Sequence, residues 1–296
     1  MNIESKNNID ITLNNKPLPV KSFKINSEDI KNNASSLQED CIELTEKSIK
    51  TNPFESNNKV LKSIPLVDKK ELNYQALEKI ELSENESEQY DLIINILKEN
   101  NAKINTSSDK RNIVAFRNPN LPTENNRKGV YDDITFVFWK DKDGNKKVEK
   151  FITNTDPNGL FIGDRPKGDF GRIKSGKTYT FAFSSSTNYG DVLRPISKID
   201  IERYSPNDEV YKDAKTSLDV DRTFLFHKGN PLMNKNNLYD KNNMNTLSMG
   251  CQTFPDIYDK TTKTWENQFE NFWEDLGGTD KSTRQKELFY TILDIN

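Results

Sequence analysis

His227 is the single histidine of this 296-residue chain; it closes the apolar run Phe224-Leu225-Phe226 and leads into Lys228-Gly229-Asn230. Cys251, one of two cysteines, lies further on in Ser248-Met249-Gly250-Cys251-Gln252. A thiol becomes a nucleophile only as thiolate, and an imidazole is the side chain best matched to removing its proton near neutral pH. Each residue also has an ordinary structural role: a histidine after an apolar strand is often just a satisfied core residue, and a cysteine a small hydrophobe. The glycines tip the balance. Gly229 and Gly250 each stand where an expected strand meets a turn, and a glycine beside a nucleophile lets the backbone come close to an acyl group, with nearby amides serving as oxyanion donors.

The elements that must hold this pair are legible in the pattern. From Asn112 onward, short runs of β-branched and aromatic residues alternate with turn signals, which predicts strands over 113–117, 133–139, 147–153, 178–183, 198–204, 223–227 and 248–254. Asp143-Gly144 is a hairpin turn between the second and third. Trp265, Phe269, Phe272, Trp273 and Leu276 form a helical stripe over 264–276 that should cap the sheet. Residues 288–295 read as a final strand, with helix as the alternative. Upstream, Tyr90, Ile93, Ile94 and Leu97 recur at helical spacing within 71–100. That segment is either a helix docked on the following domain or an independent partner-binding helix.

Composition divides the chain. All 12 glycines lie between Gly129 and Gly278, and all three tryptophans fall in the same half. Residues 1–70 hold only Phe23 and Phe54 as aromatics amid asparagine, serine, lysine and glutamate. Such a segment buries too little apolar surface to offset its ordering entropy and reads as largely disordered, with short helices around 36–48 as an alternative. The expected organisation is therefore a low-complexity region over 1–70, a helical linker or docking helix over 71–104, and a catalytic domain over 105–296.

The net charge of −3 offers no global field for nucleic acid or an anionic membrane. No apolar run approaches the length of a membrane span, and the N-terminal residues lack the pattern of a signal peptide. Cys41 and Cys251 are too few for a disulfide framework and read as free thiols. One histidine and two distant cysteines do not make a zinc site, Asp219 and Asp221 are too few to specify a cation, and the Asp141 to Asn145 segment is a hairpin tip rather than a calcium loop. No metal and no cofactor are expected. Gly171-Arg172-Ile173-Lys174-Ser175-Gly176-Lys177-Thr178 satisfies the letters of a phosphate-binding loop, yet the residues after it alternate with period two. A strand there removes the helix N-terminus that phosphate binding needs, so a turn leading into a strand is the expectation.

The pair and its frame resemble the L,D-transpeptidase (YkuD-like) catalytic domain of bacterial cell-wall enzymes, whose signature maps onto His227, Ser248, Gly250 and Cys251. The 171–183 segment, with Arg165-Pro166 and Gly168 before it, looks like that family's upstream turn and strand. The likeness covers about residues 105–296 and is greatest to divergent members that include interbacterial wall-degrading toxins. It implies a mainly β fold with some α, a sandwich or open barrel plus a few helices. Three departures stand out: a loop from His227 to Ser248 that is longer than usual and whose asparagines from Asn234 to Asn245 suggest a flap over the site, Met249 in place of a frequent second histidine, and Gln252-Thr253 in place of an apolar-Arg pair.

By this resemblance, His227 takes the proton of Cys251, and the thiolate attacks the carbonyl between the L-centre of diaminopimelate and D-alanine in a peptidoglycan stem peptide. Water or an amine then resolves the thioester. Gly250 shapes the nucleophile turn, Ser248 orients it or binds substrate, and Gly229, Asn230, Gln252, Arg194 and Arg222 are the substrate-binding candidates. A backbone carbonyl suffices to fix the histidine tautomer, leaving Asp221 and Asp256 as weak third members. The expected partners are stem peptides, with an immunity protein and a secretion machine reading the N-terminal region if the chain is an exported antibacterial effector acting in the periplasm or cell wall. Two other classes fit the same residues: a turnover-deficient wall- or partner-binding module, and a cytosolic cysteine hydrolase acting on another acyl substrate.

Overall fold

The computed structural model describes residues 68–119, 130–157, 171–205, 210–214, 223–229, 246, 248–259 and 261–295. The expectations for residues 1–67, the Asn234 to Asn245 stretch, Arg165 to Gly168, Asp219, Asp221, Arg222 and Asn230 lie outside the described residues. The described residues hold three helices and thirteen strands, so the chain is mainly β.

Helices α1 (Lys69–Leu82) and α2 (Glu86–Glu99) start where side chains satisfy orphan amides: Asp68 accepts from Lys70 and Asn85 from Ser87. The expected stripe of α2 is buried as Tyr90, Ile93, Ile94 and Leu97. It docks on the barrel rather than standing free, because these residues join Val114, Phe116, Phe136, Phe138 and Leu293 in one apolar cluster. The Asn73 side-chain amide, 2.8 Å from the Asp294 carbonyl, ties α1 to the sheet as well.

Eight strands form one sheet in the order β10 (Gln252–Phe254), β9 (Phe226–Lys228), β6 (Gly190–Pro195), β5 (Lys177–Ser186), β13 (Leu288–Asp294), β1 (Asn112–Arg117), β2 (Asp133–Lys140), β3 (Lys146–Thr153). β1 with β13 and β9 with β10 are parallel, and the other pairs are antiparallel. The two ends of the sheet meet: Asn154, just past β3, exchanges both backbone hydrogen bonds with Thr253 of β10, each at 2.9 Å. This single bridge nearly closes the sheet into a barrel.

Period-two alternation divides the side chains between two cores. Ile113, Ala115, Val137, Leu288, Tyr290 and Ile292 point inward with Phe226, Phe254 and Phe272, while Val114, Phe116, Phe136 and Phe138 point out beneath the two helices. A small sheet of β4 (Gly171–Ile173), β7 (Ile201–Ser205) and β8 (Val210–Ala214) and a hairpin of β11 (Asp256–Asp259) with β12 (Thr264–Asn267) complete the strands.

Several expected boundaries move. The stripe expected to be helical from residue 264 is strand through Asn267, and α3 (Gln268–Asp275) begins where Asn267 accepts from the Glu270 amide. Trp265 therefore pairs across the hairpin with Tyr258 instead of capping the sheet. The strand expected over 248–254 is confined to its last three residues, because Gly250 at φ 127° breaks it. The segment with phosphate-loop letters is β4, a turn and β5, with Thr178 on a strand and Lys174 held by Asp213. Residues 288–294 are a strand, and the Asp143-Gly144 turn joins β2 to β3 with Gly144 at φ 85°. Among the described residues no helix is long and apolar enough to cross a membrane.

Candidate active site

The parallel pairing of β9 with β10 brings the sequence-selected pair together. Thr253 lies opposite His227 and Gln252 opposite Phe226, so Cys251, two residues before Thr253, projects to the same face as His227. With strands ~4.8 Å apart and a rise of ~3.3 Å per residue, the two Cα atoms lie ~8 Å apart on a diagonal, within reach of both side chains. Gln252 projects the other way, into the barrel.

Cys251 sits in a turn that tolerates no other backbone. Gly250 adopts φ 127°, and a Cβ there would fall 2.0 Å from the Gly171 carbonyl oxygen and 2.7 Å from the Phe224 ring. The buried Ser248 hydroxyl accepts from the Gly250 amide at 3.1 Å and donates to the Cys251 carbonyl at 2.7 Å. Gln252 fastens the turn from beneath: its amide Nε2 donates to the Gly250 carbonyl at 3.0 Å and its Oε1 accepts from the Tyr290 hydroxyl at 3.1 Å. Among the described residues, the Gly250 amide is thus committed to Ser248 and the Gln252 amide to the Leu225 carbonyl, so the Cys251 amide is the one of the three that no such bond occupies.

His227 is fully buried. Its Nδ1 lies 2.8 Å from the Lys228 carbonyl oxygen, which can only accept, so Nδ1 carries the proton and Nε2 presents its lone pair. Among the described residues that Nε2 has no hydrogen-bond partner. Tyr189, at the tip of the β5–β6 hairpin, stacks on the imidazole with ring centroids 3.9 Å apart and planes 16° apart. Burial pushes the imidazole below its ordinary pKa against the opposing hydrogen bond to Lys228. Burial likewise pushes the Cys251 thiol up to about 11, outweighing a Leu225 backbone hydrogen bond and the positive charge of Arg194. The thiol donates to the Thr223 carbonyl at 3.2 Å. In the resting state the pair is therefore neutral thiol and neutral imidazole, not a preformed thiolate and imidazolium.

The other sequence-selected residues fall into three positions. Arg194, on β6, lies near enough for its charge to act on Cys251. Gly229 is a close approach: a Cβ there would sit 2.1 Å from the Tyr131 hydroxyl, and its amide is spent on the Phe254 carbonyl. Gln252 is 1% exposed with both amide atoms engaged, which makes it a support of the turn. Asp256 binds Lys228 at 2.8 Å, next to the carbonyl that fixes the imidazole, so it reaches His227 only through that lysine. Among the described residues no group of three His, Cys, Asp or Glu could hold a metal ion.

Beneath the turn runs a buried ionic chain. Arg117 donates from Nε to Asp294 at 2.7 Å and from Nη1 to the Ile173 carbonyl at 2.8 Å; Arg172 binds Asp156 at 3.1 Å and Glu202 at 2.9 Å and lies over the Tyr211 ring. Arg172 follows Gly171, whose carbonyl is the floor of Gly250, so the ionic chain stiffens the surface on which the Cys251 turn rests. Burial alone would raise the Asp294 carboxyl, and the Arg117 guanidinium outweighs it and holds the group below its ordinary value. Asp133 shifts the opposite way, well upward, from burial and the nearby charges of Asp132 and Asp156, while accepting the Asn118 and Thr155 amides at the closing bridge.

Sequence reasoning missed Tyr189 and Asn154. An aromatic residue before a turn glycine was the available signal for Tyr189; Asn154 had none, because its place beside Thr253 exists only once the sheet closes. Fold and site together define a mainly β, nearly closed barrel with a cysteine and a histidine on one face of its closing strands. Compared with protein-family models, with curated proteins and with solved structures, the chain matches none of them.

Proposed function

We propose that the chain is a cysteine-dependent acyl-transfer enzyme of L,D-transpeptidase-like fold that acts on peptidoglycan stem peptides through a thioester on Cys251. The observation that carries this reading is the Nδ1 bond of His227 to the Lys228 carbonyl, which leaves Nε2 as a free base on the same face as Cys251. With burial pushing the thiol up to about 11, the thiolate is a minor species at pH 7, and in this reading the proton leaves as the sulfur attacks. Substrate draws the thiol away from Thr223, Nε2 accepts its proton, and the sulfur adds to the acyl carbon. The Cys251 amide then meets the developing oxyanion, and Arg194 faces substrate carboxylate. The protonated imidazole returns its proton to the leaving amine. An exported antibacterial effector, neutralised by an immunity protein in its producer, is the biological setting this reading favours.

Purified sacculi and soluble tetrapeptide stems test it. Wild type shortens tetrapeptides to tripeptides or exchanges the terminal D-amino acid, whereas Cys251→Ala and His227→Ala do neither and remain folded by circular dichroism. Wild-type turnover surviving in either variant overturns the mechanism. The contrasting reading, a wall- or partner-binding module without turnover, is favoured by the thiol's hydrogen bond to Thr223 in place of the imidazole; sacculus binding without any adduct on Cys251 would establish it.

A further inference from the structure

Three polar side chains line up across the strands that close the barrel. Asn154 pairs with Thr253, and Thr253 pairs with His227, so all three project to the face that carries Cys251. They are 1%, 0% and 0% exposed, and Asn154 Oδ1, Thr253 Oγ1 and His227 Nε2 each lack a hydrogen-bond partner among the described residues. Native interiors seldom leave a buried polar atom unpaired, and three in neighbouring register positions beside a nucleophile point to a ligand. The chemistry of the row is defined. Asn154 Nδ2 donates to the Val130 carbonyl, which fixes Oδ1 as the atom turned to the row, and the His227 tautomer fixes Nε2 as a second pure acceptor. Thr253 adds a hydroxyl that can donate.

We propose that this row holds the water that resolves the Cys251 thioester, which makes the chain a hydrolase in preference to a transpeptidase; the inference rests on the thioester reading above. A water molecule offers two O–H donors for the two acceptors, takes the Thr253 hydroxyl on one lone pair and keeps the other for attack. An amine that uses its lone pair to attack has none left for Thr253. In the step, the water oxygen bonds to the acyl carbon and passes a proton to His227 Nε2. The carbon–sulfur bond breaks, the thiolate leaves with the electron pair and regains the proton from the imidazole, and the products are a carboxylic acid and free Cys251.

The test measures the full chain in single turnover on a soluble tetrapeptide stem, with mass spectrometry of the Cys251 adduct and of the products, in the presence and absence of millimolar glycine. In wild type the acid dominates whether or not glycine is present. Thr253→Val, which keeps the shape and removes the hydroxyl, accumulates the adduct, releases it about tenfold more slowly and shifts product toward the glycine amide, while Thr253→Ser, which restores the hydroxyl, releases the adduct faster than Thr253→Val. A Thr253→Val enzyme that clears its adduct at the wild-type rate, or a wild-type enzyme that forms mainly the amide, overturns the proposal and leaves the thioester reading standing. No adduct in any variant overturns both.

Discussion

At Cys251 and His227, two opposite pKa shifts have one origin, the loss of water. They set the expected pH behaviour. A histidine whose pKa is lowered stays deprotonated at lower pH, so the acidic limb of kcat/KM should fall below about 6.5, the ordinary histidine value. A thiol pushed up to about 11 should alkylate with iodoacetamide more slowly than a free cysteine peptide at pH 7 and accelerate through pH 9 to 11. Faster labelling than the peptide at pH 7 would mean an ion pair already present. The sequence made these two residues stand out through rarity and flanking glycines, but it could not show their protonation states. Those depend on Tyr189 and on a carbonyl whose direction only the folded strand determines.

Between β9 and β10, one glycine and two polar side chains shape the Cys251 turn. Gly250→Ala adds a Cβ into the Gly171 carbonyl at a φ that side chains disfavour, and should cost about 2–5 kcal/mol in denaturant unfolding. Ser248→Ala removes both bonds that hold the turn and should cost about 1–3 kcal/mol, with the thiol becoming easier to alkylate as the turn loosens. The strands were legible where β-branched and aromatic residues alternate, as in Asp133 to Trp139. Gly190-Asp-Val-Leu-Arg-Pro195 was not, because its short mixed pattern is a strand only by virtue of its neighbours. Trp265 and Phe269 stand four residues apart and so mimic a helix, while the cross-strand contact with Tyr258 that makes Trp265 a strand residue is invisible in the local spacing.

For the molecule as a whole, the Arg117–Asp294 pair joins β1 to β13 in the interior. Removing the Asp294 charge leaves buried Arg117 with the longer ion pair to Asp156 at 3.9 Å, so Asp294→Asn should destabilise the fold by about 2–4 kcal/mol at pH 7. The contribution of a carboxyl with a lowered pKa is complete above its ordinary range and vanishes as pH falls through the folded-state value. The deficit of Asp294→Asn should therefore shrink below about pH 4. A chain starting at residue 105 should aggregate, because it uncovers Val114, Phe116, Phe136 and Phe138, the surface now beneath α1 and α2. The mainly β class and the docked helix were readable from periodicity. The strand order was not, since it joins segments far apart in the chain.

That order has a consequence in time. β13 does not trim an edge; it lies in the middle of the sheet, parallel to β1 from Asn112↔Phe289 to Arg117↔Asp294 and antiparallel to β5. A nascent chain that has not yet reached residue 294 can form the β1–β2–β3 and β5–β6 hairpins but has nothing to join them. The Asn154–Thr253 closure beside Cys251 must wait for that keystone. The central seam of the sheet is thus completed by the one of its eight strands that is made after all the others.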